Sequence, residues 1–300
     1  MQKRRKALVI VGPTASGKSA LAVALAREFN GEIISADSRQ VYKGLDLGTG
    51  KITKREMKGV PHHLLNEVSP HRIFTAHDFA ARATKAAADI SSKGKLPIVT
   101  GGTGFYIDVL VGRIVPPNVP MNDNLRKRFE KMTAEQLFML LKKRDPRRAK
   151  IIDRHNKRRL VRALEIVSAL GKIPVAKITG NSRYDTLWIG ISRDKKELKK
   201  LIRARMRARM KAGMISEAIK LHRKGLSYKR MESLGLEYRS LALFLQKKIS
   251  RKELEKKIAR DSVNYAKRQM TYWNRNREIQ WFATRHKKKI PKTVSNWLKK

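Results

Sequence analysis

Apolar and polar positions along the chain follow two rhythms. Short continuous apolar runs recur at ALVIV (7–11), EIISA (32–36), KLPIVT (95–100) and TLWIGIS (186–192), the first and third running straight into Gly-containing turns. Runs of this kind read as strands buried on both faces. Between them SALAVALAREF (19–29) and FYIDVLVG (105–112) carry helical spacing and good helix formers. Strands alternating with helices predict an α/β core, a parallel sheet flanked by helices.

The rhythm changes at VPPNVP (115–120). The chain beyond it is helical and basic: NDNLRKRFEKM, AEQLFMLLKKR and NKRRLVRALEIVSALGK, the last with Leu160, Leu164 and Val167 on one apolar face. TLWIGIS then restores the sheet pattern. Residues 116–185 are therefore expected to form a helical insertion in a core made of 1–115 and 186–300. Beyond Ser192 the long segments DKKELKKLIRARMRARMKAG and RKELEKKIARDSVNYAKRQMTYWNR predict helices, and the basic tail HKKKIPKTVSNWLKK is expected to fray.

Charge sharpens this division. The chain of 300 residues carries a net +45, of which +9 falls in residues 1–120 and +36 in residues 121–300. Such an excess repels itself unless an anion lies against it, so nucleic acid is the favoured partner over a solvated basic surface. A membrane surface is disfavoured, because the basic helices lack a Trp/Phe-rich opposite face. There is no cysteine, which excludes disulfides, thiolate zinc sites and a Cys nucleophile and suits a reducing cytoplasm. No apolar run reaches the length of a membrane span. The segment MQKRRKALVIV has the order of a signal peptide, but its apolar part is short and runs into GPTASGKS, so it reads as a first strand.

GPTASGKS (12–19) fits the P-loop pattern, placed after a strand and at the start of a helix. Gly12, Pro13, Thr14, Ala15, Ser16, Gly17, Lys18 and Ser19 form a phosphate or nucleotide cradle on this basis. Its N–H groups and helix N-terminus face the anion, Lys18 adds a full charge and the Ser19 hydroxyl suits Mg²⁺. An ATPase would add an acidic residue at the end of a later strand, yet the 95–100 run ends in GGTG. The acidic candidate is Asp37, in DSRQ after the second strand. It is open to three roles: Mg²⁺ ligand, general base or turn residue. Strand ends of such a sheet face the ligand crevice, so Asp37, Thr103 and the P-loop are expected to converge. His62 and His63 lack ligand-spaced companions and suit packing better than zinc. Tyr265, Tyr272 and Trp273 suit core packing better than base stacking.

GPTASGKS, SADSRQVYKGLDLGTGK, VPHHLLNEV, GGTGFYI, RRLVRALE and YAKRQMTYW, in that order from Gly12 to Trp273, resemble the bacterial tRNA dimethylallyltransferase (tRNA isopentenyltransferase) family. The resemblance implies transfer of a dimethylallyl group from dimethylallyl diphosphate to the exocyclic amine of the adenosine 3′ to the anticodon. It implies Asp37 as general base, with Thr14, Lys18 and Arg205 acting on the diphosphate and Mg²⁺ assisting its departure. It further implies contacts to a tRNA anticodon stem-loop from Asp37, Ser38, Arg39, Gln40, Thr103, Arg126, Arg158, Arg159, Leu160, Val161 and Arg162. Gln40 has the amide geometry to read an adenine edge. A substrate of that size favours a monomer.

The chain departs from the family pattern at Asn66, where an acid is usual, at Gly50 in GTGK, and at SLGLEYRSL (233–241). These departures bear on RNA contact rather than on the proposed catalytic groups. Three competitors remain: prenylation of free adenine nucleotides, as in plant relatives; a P-loop kinase; and an RNA-binding protein without catalysis. The first two leave the +36 unexplained, and intact Lys18, Ser19, Asp37 and Thr103 weigh against the third.

Overall fold

A computed structural model describes residues 4–174 and 183–300. Part of the expected 116–185 insertion, residues 175–182, lies outside the described residues. Six parallel strands form one sheet: β1 (Lys6–Val11), β2 (Gly31–Ser35), β3 (His62–His63), β4 (Leu96–Thr100), β5 (Asp185–Ser192) and β6 (Gln280–Ala283). Their order is β3-β2-β4-β1-β5-β6. Central β1 pairs with both β4 and β5, Leu8 lying opposite Ile98 on one side and Leu187 on the other. Its neighbours explain the unbroken run ALVIV: side chains alternate between faces, and both faces are covered.

Leu8 and Ile10 join Ile33, Ile98, Ile189 and Ile191 beneath the Lys18–Glu28 helix. Val9 and Val11 join Ile34, Val99 and Trp188 on the other face, with Phe79, Ile107 and Trp273 from the helices Ala76–Ser92, Gly104–Leu110 and Arg251–Trp273.

Two strands lie outside the sequence expectation. β3 and β6 have two and four residues and sit at the sheet edges, too short to set a period. The basic tail also differs: instead of fraying, it forms a 3-10 turn, Thr284–Lys289, and a helix, Ile290–Leu298. Ile290 and Val294, one turn apart, are fully buried against the β1 face, and apolar burial outweighs the local charge.

The chain divides into two compact units, Met1–Arg113 with Gly180–Lys300, and Ile114–Thr179. The second contains the helices Asp123–Glu130, Ala134–Arg144, Pro146–Ala149 and Lys157–Leu170. Three of the four begin at Asn or Thr caps and the Pro146 helix begins at an Asp cap, which satisfies donors the first turn leaves free. Phe129, Leu137, Leu141, Leu160, Leu164 and Val167 make its core.

Candidate active site

The Gly12–Ser19 loop leaves β1 at its C-terminal end and enters the Lys18–Glu28 helix. Gly17 caps that helix at φ 92°, a left-handed conformation that favours glycine. Lys18 Nζ donates to the Pro13 carbonyl at 3.3 Å, folding its chain back over the loop. Burial in this position, with Arg205 adding like-charge repulsion and Asp37 opposing both, brings the Lys18 pKa down to about 8. Ser16 is buried, and its Oγ has no hydrogen-bond partner among the described residues.

The ends of β2 and β4 meet at this loop. Asp37 Oδ1 accepts from the N–H groups of Arg39 (2.8 Å) and Gln40 (3.3 Å), an Asx-type turn that holds the carboxylate. Asp37 Oδ2 makes no hydrogen bond among the described residues. Ser38 N–H donates to Thr103 Oγ1 at 3.0 Å, tying DSRQ to GGTG. Gly102 lies close against the site: a Cβ there would be 2.8 Å from Gln269 Nε2, 2.9 Å from Tyr265 Oη and 3.3 Å from Asp37 Oδ2, so a side chain would push these three groups aside.

Gln269 joins these elements. Its Oε1 accepts from Thr14 N–H at 2.8 Å, and its Nε2 donates to the Gly102 carbonyl at 3.0 Å. Tyr265 Oη donates to the same carbonyl at 2.9 Å. Burial, and the nearby charge of Asp37, push the Tyr265 pKa well up, so it remains a neutral donor. Sequence reasoning missed Gln269. Its signal was a polar residue on the face that YAKRQMTYW turns inward, four residues after Tyr265 and four before Trp273.

Arg205, on the Lys195–Lys211 helix, donates through Nη2 to the Gly50 carbonyl at 2.6 Å. It lines a 390 Å³ cavity with Ser19, Gly50, Ile52 and Glu56. The loop it grips is built around Glu217, which accepts from the N–H groups of Asp46, Leu47 and Gly48 and from Tyr238 Oη. Arg209 donates to the Leu47 and Gly48 carbonyls and pairs with Glu237 at 2.9 Å. The departures thus acquire places: Tyr238 and Glu237 brace this loop, and Asn66 Oδ1 accepts from buried Lys51 Nζ at 2.5 Å. His63 bonds Glu32, itself paired with Lys95, while His62 bonds the Val60 carbonyl.

The structure gathers Gly12–Ser19, Asp37–Gln40, Thr103 and Arg205 in the larger unit. It also changes two expectations. The Thr14 N–H is occupied by Gln269, so this loop donor does not point at an anion as the P-loop pattern implied. Leu160, grouped with RNA contacts, is fully buried in the core of Ile114–Thr179, because the apolar face of its helix is what that unit packs around. In the same unit Val161 is half-buried against the core, and Arg158 and Arg159 are exposed. Arg126 grips buried Glu165 through Nε (2.6 Å) and Nη2 (3.0 Å), a two-pronged pair. Arg162 donates to Glu165 and to the Val119 carbonyl. Tyr272 donates to Asp108, and Trp273 is buried beside Trp188. Among the described residues no cluster of three acidic or His side chains is placed for a metal, and no helix is long and apolar enough to cross a membrane.

The sequence profile of a family described as IPP transferase matches residues 40–277. A tRNA dimethylallyltransferase of Anoxybacillus flavithermus is 37% identical over 281 residues, covering 92% of this chain and 90% of that protein. The crystal structure of a full-length tRNA isopentenylpyrophosphate transferase from Bacillus halodurans superposes with a TM-score of 0.75 at 32% identity, covering 99% of this chain and 97% of the other. A eukaryotic dimethylallyltransferase solved acting on tRNA gives a TM-score of 0.79 at 27% identity, over 93% of this chain and 74% of the other.

Proposed function

This chain belongs to the IPP transferase family of tRNA dimethylallyltransferases, and on that premise we propose that it moves a dimethylallyl group from dimethylallyl diphosphate to the exocyclic amine of the adenosine 3′ to a tRNA anticodon. The observation that carries the catalytic assignment is Asp37. One carboxylate oxygen is anchored by two backbone N–H groups, and the other, beside Gly102, is left without a partner among the described residues.

In this mechanism the Gly12–Ser19 loop receives the diphosphate rather than a nucleoside triphosphate. The bond between the allylic carbon and the bridging oxygen breaks, and the electron pair leaves with the diphosphate. Lys18 and Arg205 stabilise the charge that gathers there, acting as preorganised cations. The adenine amine forms the new C–N bond, and its proton passes to Asp37 Oδ2. Thr14 takes part through its side chain, since its N–H is held by Gln269. Ser38, Arg39, Gln40 and Thr103 line the acceptor side, with Gln40 reading the adenine edge. Arg158 and Arg159, exposed on the smaller unit, serve the phosphates of the anticodon stem.

The donor set suits Mg²⁺, which takes hard oxygens and is commonly held by one or two protein groups together with substrate phosphates. Ser19 presents such a hydroxyl on the wall it shares with Arg205. Bound there, Mg²⁺ would neutralise part of the diphosphate charge.

The test is transfer of label from dimethylallyl diphosphate to unmodified tRNA in Mg²⁺ buffer without ATP. Transfer to AMP in place of tRNA would sink the acceptor assignment. Asp37→Asn is expected to lower turnover about 10²–10⁴-fold, the usual worth of a general base, with tRNA binding retained. Unchanged turnover would remove Asp37 from that role.

A further inference from the structure

The basic turn after β6 reaches the Gly12–Ser19 loop. A Cβ placed on Gly17 would lie 3.4 Å from Lys287 Nζ and 3.9 Å from Arg193 Nη2, so two more cations stand against the point where the loop becomes helix. They come from different elements. Arg193 follows β5, donates through Nε to the Ser16 carbonyl at 3.1 Å and is paired with Glu197. Lys287 belongs to the Thr284–Lys289 turn. It is half-buried, whereas Lys288 and Lys289 are exposed; its carbonyl accepts from the Ile290 N–H, and its ammonium has no hydrogen bond or ion pair among the described residues.

The turn is firmly held. β6 pairs with β5 from Gln280 to Ala283, and just after the turn Ile290 and Val294 are buried in the core. At the far end Trp297 Nε1 donates to Asp185, and its carbonyl accepts from Lys6 Nζ. Lys287 is thus presented by anchored elements on both sides, not by a free tail.

Its position is electrostatically wrong for the protein alone. A helix N-terminus carries partial positive charge and favours anions, and an unpaired ammonium beside it is repelled. Arg193, itself paired with Glu197, is a second positive group at the same point. The arrangement becomes favourable once an anion lies among these groups, with each cation then contributing a charge-assisted contact. Ser16 Oγ, also without a partner among the described residues, is packed inside the loop against Gly12 and takes no part in this arrangement.

We propose that Lys287 is a further diphosphate-binding residue, closing the cradle from outside the chain's own P-loop motif, with Arg193 as the positioning residue that holds the Ser16 turn beneath it. This rests on the diphosphate reading of the Gly12–Ser19 loop. The motif gave no hint of it, because Lys287 lies 269 residues beyond Lys18 in a segment read as a fraying tail.

Calorimetric titration of the full chain with inorganic pyrophosphate in Mg²⁺ buffer tests it. Lys287→Met is expected to weaken binding about tenfold and to raise KM for dimethylallyl diphosphate equally, leaving KM for tRNA unchanged. Lys287→Arg should restore most of the affinity. Lys288→Met, which removes the same charge from an exposed neighbour, should change neither quantity. An unchanged thermal midpoint in Lys287→Met excludes misfolding as the cause. If Lys287→Met binds pyrophosphate like the unaltered protein while Lys18→Ala does not, the proposal fails and the diphosphate cradle stands. If the unaltered protein fails to bind pyrophosphate, the cradle and the proposal fall together.

Discussion

Replacing Gln269 by Leu tests whether the catalytic geometry depends on one buried amide. Gln269 is 4% exposed and bridges the Thr14 N–H and the Gly102 carbonyl. Leucine fills similar space but removes both bonds. The Gly102 carbonyl keeps Tyr265 Oη as donor, so it is not orphaned. The Thr14 N–H loses its partner, and an unsatisfied buried donor costs about 1–3 kcal/mol. Thr14 is only half-buried, and water can relieve part of this. The expected loss of stability is therefore about 2 kcal/mol, read from urea denaturation. Activity should fall further than stability explains, because the joint sets the loop against Asp37. A displacement of roughly 1 Å between reacting groups costs about 10²-fold, measurable as a single-turnover rate with both substrates saturating. Gln269→Glu separates the two bonds. It keeps an acceptor for Thr14 but turns an oxygen toward the Gly102 carbonyl and adds negative charge near Asp37. A Gln269→Leu protein within about 0.5 kcal/mol of the original, transferring at the original rate, would refute the joint.

Lys18 predicts a pH dependence. Its folded pKa of about 8 lies below the ordinary 10.5, so the unfolded chain holds this proton more tightly. The Lys18 contribution to stability is thus full above 10.5 and is lost as pH falls through about 8. Diphosphate binding runs the other way, because it requires the ammonium. Pyrophosphate affinity should fall as pH rises above about 8, and Lys18→Arg, measured alongside to cancel titration of the ligand, should not show the fall. For the smaller unit, Arg126→Ala strips a two-pronged partner from buried Glu165, which retains Arg162 and the Asn122 N–H. A stability loss of about 2 kcal/mol is expected by denaturation. Reduced tRNA affinity with unaltered stability would instead make Arg126 a direct RNA contact.

Much of this protein is written locally. The run ALVIV requires a strand covered on both faces, and GPTASGKS after it requires a turn whose N–H groups gather, because glycine, chain direction and helix start are neighbours in sequence. Six motifs in order were enough to reach the family. The two short edge strands were not legible, since two and four residues set no period. Nor was the fate of HKKKIPKTVSNWLKK, where Ile290 and Val294 outweigh the lysines only when the β1 face is there to receive them.

The joints of the site belong to tertiary structure alone. Gln269 meets Thr14 across 255 residues, and Glu217 meets Leu47 across 170. Sequence pattern carries the chemistry a residue has and the side of an element it occupies. It does not carry which distant backbone N–H will arrive there, and hydrogen bonds, being short and directional, are decided by that arrival.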